Sequence, residues 1–116
     1  MAKIHAYLNF NGNCEQAFSF YETVFQTKNI GMHRFGDMPA DPNYPMDDAD
    51  KNKIMHTAIM VNDSTMLMGS DSLENFGHKL THGNSTYVML DTDTAAEAKE
   101  LYQALSVNAQ NIEMPL

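Results

Sequence analysis

Five histidines, one cysteine and a scatter of carboxylates are the residues of this chain that could do chemistry. His5 lies in Lys3-Ile4-His5-Ala6-Tyr7-Leu8-Asn9-Phe10, which alternates like a half-buried strand. An imidazole there suits Zn, Ni, Fe or Mn as a ligand. His56 alternates with Ala58 and Met60 in another strand-like run. If that face lines a cleft, His56 could bind or protonate a ligand; otherwise it is a half-buried histidine bonded to a neighbouring strand. Met68 and Tyr7, also in strand-like segments, complete the candidate ligand contacts. Ten methionines stand against no tryptophan, and Met55, Met60, Met66, Met68 and Met89 all fall in strand-like segments. They read either as gap-filling core or as a soft, adaptable pocket for an apolar ligand.

The remaining reactive groups read more plainly. His78 and His82 are four apart, but they sit in a polar connector beside Gly77 and Gly83, where helical spacing has no meaning. They are expected on the surface, and His33 has no evident partner. Cys14 opens a helix, whose positive end would depress a thiol pKa, yet it falls on the apolar stripe, which argues for an inert core cysteine. Asp47, Asp48 and Asp50 resemble a calcium loop in composition only, because the EF-hand spacing is missing.

The elements that must position these residues follow from periodicity. Cys14, Ala17, Phe18, Tyr21, Val24 and Phe25 form one apolar stripe, so a helix is expected over 14–25, with Asn13 as its N-cap and Phe20 off the stripe. A second helix is expected over 95–106, opened by the capping box Thr94-Ala95-Ala96-Glu97 and carrying Ala98, Leu101, Tyr102 and Leu105 on one face. Strands are expected over 3–10, 28–36, 53–61, 65–70, 86–90 and 110–114. Asn62-Asp63-Ser64 makes a tight hairpin. The Pro/Asp-rich stretch 38–52 reads as a solvated loop and 72–84 as a polar connector.

An internal repeat organises these elements. Shifting the chain by 81 positions, the separation of Ala17 and Ala98, also aligns Tyr21 with Tyr102, Val24 with Leu105, Leu8 with Met89, and Asn13 with Thr94. Five matches, both caps included, indicate a duplicated strand-turn-helix unit. The fold class expected is α+β, with paired βαβββ modules: a first module over about 1–72, a connector over 73–84 and a partial second module over 85–116. Under the offset Leu116 corresponds to Phe35, so the second copy stops within its second strand.

Composition narrows the function. With 116 residues and 43% hydrophobic content, one domain with a real core is expected. Seven basic against 15 acidic residues give −8, with no basic run, so neither nucleic acid nor an anionic membrane surface is expected as a partner. The lone Cys14 cannot form an internal disulfide, the N-terminus lacks an apolar signal core, and no stretch suits a membrane span. A cytoplasmic location is the simple expectation.

The segment from Tyr7-Leu8-Asn9-Phe10-Asn11-Gly12-Asn13-Cys14 through Phe18-Ser19-Phe20-Tyr21-Glu22-Thr23-Val24-Phe25 resembles the opening of the PhnB-like branch of the vicinal oxygen chelate superfamily, the glyoxalase/bleomycin-resistance type. Phe35-Gly36-Asp37-Met38-Pro39, the pair Ile54-Met55-His56-Thr57-Ala58 and Leu67-Met68-Gly69-Ser70-Asp71, and the closing Ile112-Glu113-Met114-Pro115-Leu116 extend the resemblance along the chain. It implies two modules whose curved sheets enclose a cleft, with metal ligands, where present, on the first and fourth strands of each module. His5 lies close to where metal-binding relatives carry a histidine. Its repeat counterpart is Thr86, a poor ligand; Ser70 and Asp71 stand where a glutamate would be expected; and the sequence contains no eighth strand. The expectation is therefore a small-molecule-binding protein without a complete metal site or other cofactor. The alternatives are a divalent-metal-dependent lyase, isomerase or dioxygenase in which His5 is one ligand and a partner chain supplies others, and a mainly dimerising module. Some relatives carry the label of a ubiquinone-pathway methyltransferase, but no Gly-rich nucleotide-binding turn follows a strand here. A homodimer is expected, by edge pairing or by exchange of the terminal segment 110–116, whose Ile112, Met114 and Leu116 alternate.

Overall fold

Helix α1 (Cys14–Phe25) forms where the apolar stripe placed it, and Cys14 and Phe18 on that stripe are fully buried. It ends at Gln26, which adopts the left-handed conformation (φ 52) and returns its N–H to Glu22 O and Thr23 O. Its start departs from the sequence reading. Asn13 has φ −113 and ψ 22, outside the extended geometry an N-cap takes, and its side chain makes no capping bond. The cap comes instead from Asp71, 57 residues away, whose Oδ1 accepts the Cys14 N–H at 3.0 Å. The same oxygen accepts the N–H of Gly12, which turns the chain at φ +96, also at 3.0 Å. The computed structural model describes residues 1–43 and 45–116; the side chain of Asn75 also lies outside the description.

The chain divides into two units, Met1–Gly83 and Asn84–Leu116. In the first, strands β1 (Ala6–Phe10), β2 (Asn29–Arg34), β3 (Ile54–Met60) and β4 (Met66–Asp71) make one sheet in the order β1-β4-β3-β2. β1 runs parallel to β4, pairing Tyr7 with Met68 and Asn9 with Ser70. The β2–β3 and β3–β4 pairs are antiparallel. The Asn62-Asp63-Ser64 hairpin forms as expected: Val61 N–H bonds Thr65 O at 2.9 Å and Asn62 Oδ1 accepts Ser64 N–H at 2.9 Å. Among the described residues of this unit the element order is β-α-β-β-β with three added single turns, one α-helical and two 3-10, a complete module.

α1 covers one face of this sheet. Its Cys14 and Phe18 join Ile54, Ile59 and Leu67 in the core, with Ala6, Leu8, Phe10 and Met32 packed around them. Burying Phe18 contributes about 2 kcal/mol. Its ring lies over Gly69, where a Cβ would stand 2.5 Å from Phe18 Cε1, so glycine is needed for the helix to approach this closely. A register shift between His33 and Arg34 lets Ile54, rather than Met55, turn into the core.

The stretch expected as a plain loop over 38–52 contains a single helical turn, α2 (Asp48–Lys51). Asp47 O accepts the N–H of Asp50 and of Lys51, and Asp50 and Asp48 pair with Lys53 and Lys51 at 2.9 and 3.1 Å. Local ion pairs thus order two of the aspartates. Single 3-10 turns occupy Phe35–Asp37 and Glu74–Phe76.

In the second unit, helix α3 (Ala95–Leu105) forms under the expected cap, Thr94 Oγ1 accepting the Glu97 N–H at 3.1 Å. The strands expected over 86–90 and 110–114 do not form. The repeat supplies the physical reason. In the first unit β1 pairs only with β4, and β2 only with β3. Among the described residues no strand lies beside the repeated copies of β1 and β2, so these have no neighbour to bond. They remain irregular, joined by the Tyr87 hydroxyl, which donates to Glu113 Oε2 at 3.1 Å.

Candidate functional site

The face of the sheet opposite α1 carries the candidate residues. Strand alternation and register put Tyr7 and Asn9 of β1, Met66, Met68 and Ser70 of β4, His56, Ala58 and Met60 of β3, and His33 of β2 on this side. Three residues singled out from sequence, Tyr7, His56 and Met68, therefore lie together. Tyr7 and Met68 are direct partners in the parallel β1–β4 pair. Tyr7 reaches across β4, a span of about 9.5 Å between flanking strands, to place its hydroxyl 3.4 Å from His56 Nδ1. The two rings tilt at 31° with centroids 5.8 Å apart. His33, without an evident partner in the sequence, pairs directly opposite His56 on β3. The half-buried methionines and the Tyr7–His56 pair make a surface that is soft and apolar with one polar contact at its centre.

Beyond Tyr7–Met68, the next partners on the same face are Asn9 and Ser70, with Ser70 Oγ donating to Asn9 Oδ1 at 3.2 Å. Here the face runs into a recess of about 570 Å³ where β1 and β4 end, bordered by Ser72, His78 and Lys79. Asn9 and Lys79 were not singled out from sequence. The alternation Tyr7–Asn9 was a usable signal for the first. Nothing local places Lys79 beside Ser70.

His5 sits just ahead of β1, and its Nδ1 accepts the Met66 N–H at 3.0 Å. A neutral imidazole accepting at Nδ1 carries its proton on Nε2, which leaves no free lone pair for a metal. Asp71, the other residue named for the fourth strand, faces the helix side. It is 3% exposed, and both carboxylate oxygens are engaged, Oδ2 accepting the Ile54 N–H at 2.8 Å. Among the described residues no group of three or more His, Cys, Asp or Glu is placed to hold a metal ion. His78 and His82 are exposed. Cys14 is fully buried; burial, then the nearby Asp71 and Glu15 charges, push its thiol up to about 12, so it is unreactive at neutral pH.

At this same end of the sheet, where β1 and β4 stop, Arg34 forks onto Glu15 of α1 at 2.7 and 3.1 Å and donates to Asn52 O at 2.7 Å. The Arg34 hydrogen bond holds the Glu15 carboxyl below its usual range. In the second unit, Tyr87, Leu101, Tyr102, Leu105, Ile112 and Met114 line a separate recess of about 660 Å³.

The family model described as 3-demethylubiquinone-9 3-methyltransferase matches residues 2–114. The chain belongs to that family. Among solved structures it is similar to protein PA1353 from Pseudomonas aeruginosa, with 33% identity and a TM-score of 0.73 over 91% of this chain and 73% of that one. It shares its fold with a putative 3-demethylubiquinone-9 3-methyltransferase, a PhnB protein, from Bacillus cereus, with 24% identity and a TM-score of 0.62 over 90% and 74% of the two chains. Both solved structures share the mixed α+β fold of this chain. No curated protein matches. Among the described residues no helix is long and apolar enough to cross a membrane.

Proposed function

We propose that this chain is a small-molecule-binding protein of the glyoxalase/bleomycin-resistance type, within the vicinal oxygen chelate superfamily, whose ligand lies on the open sheet face against Tyr7, His56 and Met68. The observation that carries the reading is their convergence on a face α1 leaves bare, with the Tyr7 hydroxyl 3.4 Å from His56 Nδ1. Ligand sites combine apolar lining with a few directed polar groups, and this face has that composition.

In this reading the site works without a complete metal centre or other cofactor. What supports it is the state of the donors: His5 Nδ1 engaged by Met66, Asp71 saturated by backbone N–H groups, and Ser70 bonded to Asn9. The methyltransferase name in the family description does not determine the chemistry. In nucleotide-binding α/β folds the turn after the first strand offers its N–H groups to the ligand. Here Asp71 takes those of Gly12 and Cys14. The reading also places the protein in the cytoplasm, without nucleic-acid or membrane partners. It makes the protein a homodimer; what supports this is that Ile112, Met114 and Leu116 are exposed apolar residues a second copy could cover.

Nitrogen-15 NMR titration with benzamide, a neutral aromatic, tests the site. Saturable shifts are expected at Tyr7, His56 and Met68 and should vanish in Tyr7→Ala; shifts confined to the second unit would refute it. Elemental analysis finding about one zinc, nickel or iron per chain, lost on His5→Ala, would overturn the metal-free reading. Light scattering showing only monomer at every concentration would remove the dimer.

A further inference from the structure

We infer that the ligand is an amphiphilic carboxylate, its apolar body on the Tyr7–Met68 face and its carboxylate in the recess where β1 and β4 end, held by Lys79 with Ser72. This deepens the proposed small-molecule reading and rests on it.

Continuity of the two regions is the first argument. Asn9–Ser70 follows Tyr7–Met68 by two residues on the same face, a step of about 6.7 Å along the strands. The step exceeds the span from a phenyl ring's centre to a directly attached carboxylate, and the long, flexible Lys79 stem can make up the difference. The site thus grades from aromatic and thioether at one end to amide and hydroxyl at the other.

Charge is the second argument. The chain carries −8 overall, yet the recess is bordered by an ammonium and an imidazole. Arg34, Lys51 and Lys53 are held by Glu15, Asp48 and Asp50, whereas Lys79 has no ion pair among the described residues. The one carboxylate among the described residues lining the recess is Asp71, which is 3% exposed and receives three backbone N–H groups from the helix side. Its charge is met by those dipoles, and its oxygens are turned away from the occupant. Gly77, at φ +80, reverses the chain after the Glu74–Phe76 turn, and the His78 N–H bonds Leu73 O at 3.1 Å, which seats His78 and Lys79 at the rim. A carboxylate there would meet a cation and the Ser72 hydroxyl, a set that forms charge-assisted hydrogen bonds.

The test compares benzoate with benzamide, near-isosteres that differ in charge, by nitrogen-15 NMR titration of the whole chain at neutral pH. Benzoate is expected to bind at least about ten-fold more tightly, the scale of one hydrogen bond to a charged group. It should shift the amides of Ser70, Ser72 and Lys79 as well as Tyr7 and Met68, and it should weaken with added sodium chloride. Lys79→Ala, at an exposed position where folding is not at stake, should remove the preference, and Lys79→Arg should restore most of it. Equal binding of the two probes at the Tyr7–Met68 face, or an undiminished preference in Lys79→Ala, would overturn the carboxylate site while leaving the open-face reading intact. Absence of both probes from the face would overturn both.

Discussion

Replacing Asp71 should be among the most damaging single changes in the first unit. Its carboxylate joins three places far apart in sequence: the turn at Gly12, the first turn of α1 at Cys14, and the start of β3 at Ile54. Removing it leaves three N–H groups without their acceptor. Cys14 and Ile54 are fully buried, and Gly12 is exposed enough for water to replace its partner. A buried donor left unsatisfied costs about 1–3 kcal/mol. Two such donors, with a smaller contribution from Gly12 and the lost helix cap, give about 3–5 kcal/mol for Asp71→Ala. Asp71→Asn keeps one acceptor oxygen but turns an NH₂ group toward N–H donors, so about 2–3 kcal/mol is expected. Against a typical total of about 5–15 kcal/mol, the alanine variant removes a large fraction of the stability. Urea unfolding followed by circular dichroism measures the loss, and hydrogen exchange locates it: protection should fall first at Cys14 and Ile54. An Asp71→Ala loss below about 1 kcal/mol, or unchanged exchange at those two amides, would refute the view that this carboxylate ties helix to sheet.

Gly69→Ala should cost about 1–3 kcal/mol in the same unfolding assay, because its new methyl would press on the Phe18 ring and the Leu8 carbonyl; Phe18→Leu in the same chain should recover part of it. The unfolded Cys14 thiol ionises near pH 8.5 while the folded one is pushed up to about 12, so the thiolate favours the unfolded chain. Stability should accordingly fall as pH rises above about 8.5, by up to about 1.4 kcal/mol per unit, and Cys14→Ala should flatten that slope even if less stable overall. Iodoacetamide at pH 8 should label Cys14 only after denaturant is added. Glu15, whose carboxyl is lowered by Arg34, contributes stability that is full above the unfolded carboxylate range and is lost as pH falls through the folded value. Both partners are well exposed and screened by solvent, so Glu15→Gln should cost only about 0.5 kcal/mol at neutral pH and almost nothing near pH 3.

Local periodicity was enough to locate α1 to the residue, to place α3 under its Thr94 cap, and to set the hairpin at Asn62-Asp63-Ser64. It also sorted His56 with Ala58 and Met60 onto one face, and it put Cys14 in the core. All of these depend on residues within a few positions of one another, whose conformations are set by neighbours along the chain. The features it did not reach depend on contacts made across long separations. Asn13 has the side chain of a cap, but Asp71 arrives from 57 residues away and takes the amide. His5 Nδ1 accepts the Met66 N–H from 61 residues away, a partner nothing local announces. Residues 86–90 and 110–114 carry strand patterns, but a strand exists only when a neighbour accepts its hydrogen bonds, and among the described residues no strand lies beside them. The grouping of Tyr7, His56 and Met68 on the open face belongs to the same class. Each of Tyr7, His56 and Met68 was legible as a strand residue, and so was the side of its own strand on which it lies. That these sides coincide was decided by the parallel register of β1 on β4 and the antiparallel register of β3 beside it, because a one-residue slip in either would send one set of side chains to the helix and the other to solvent.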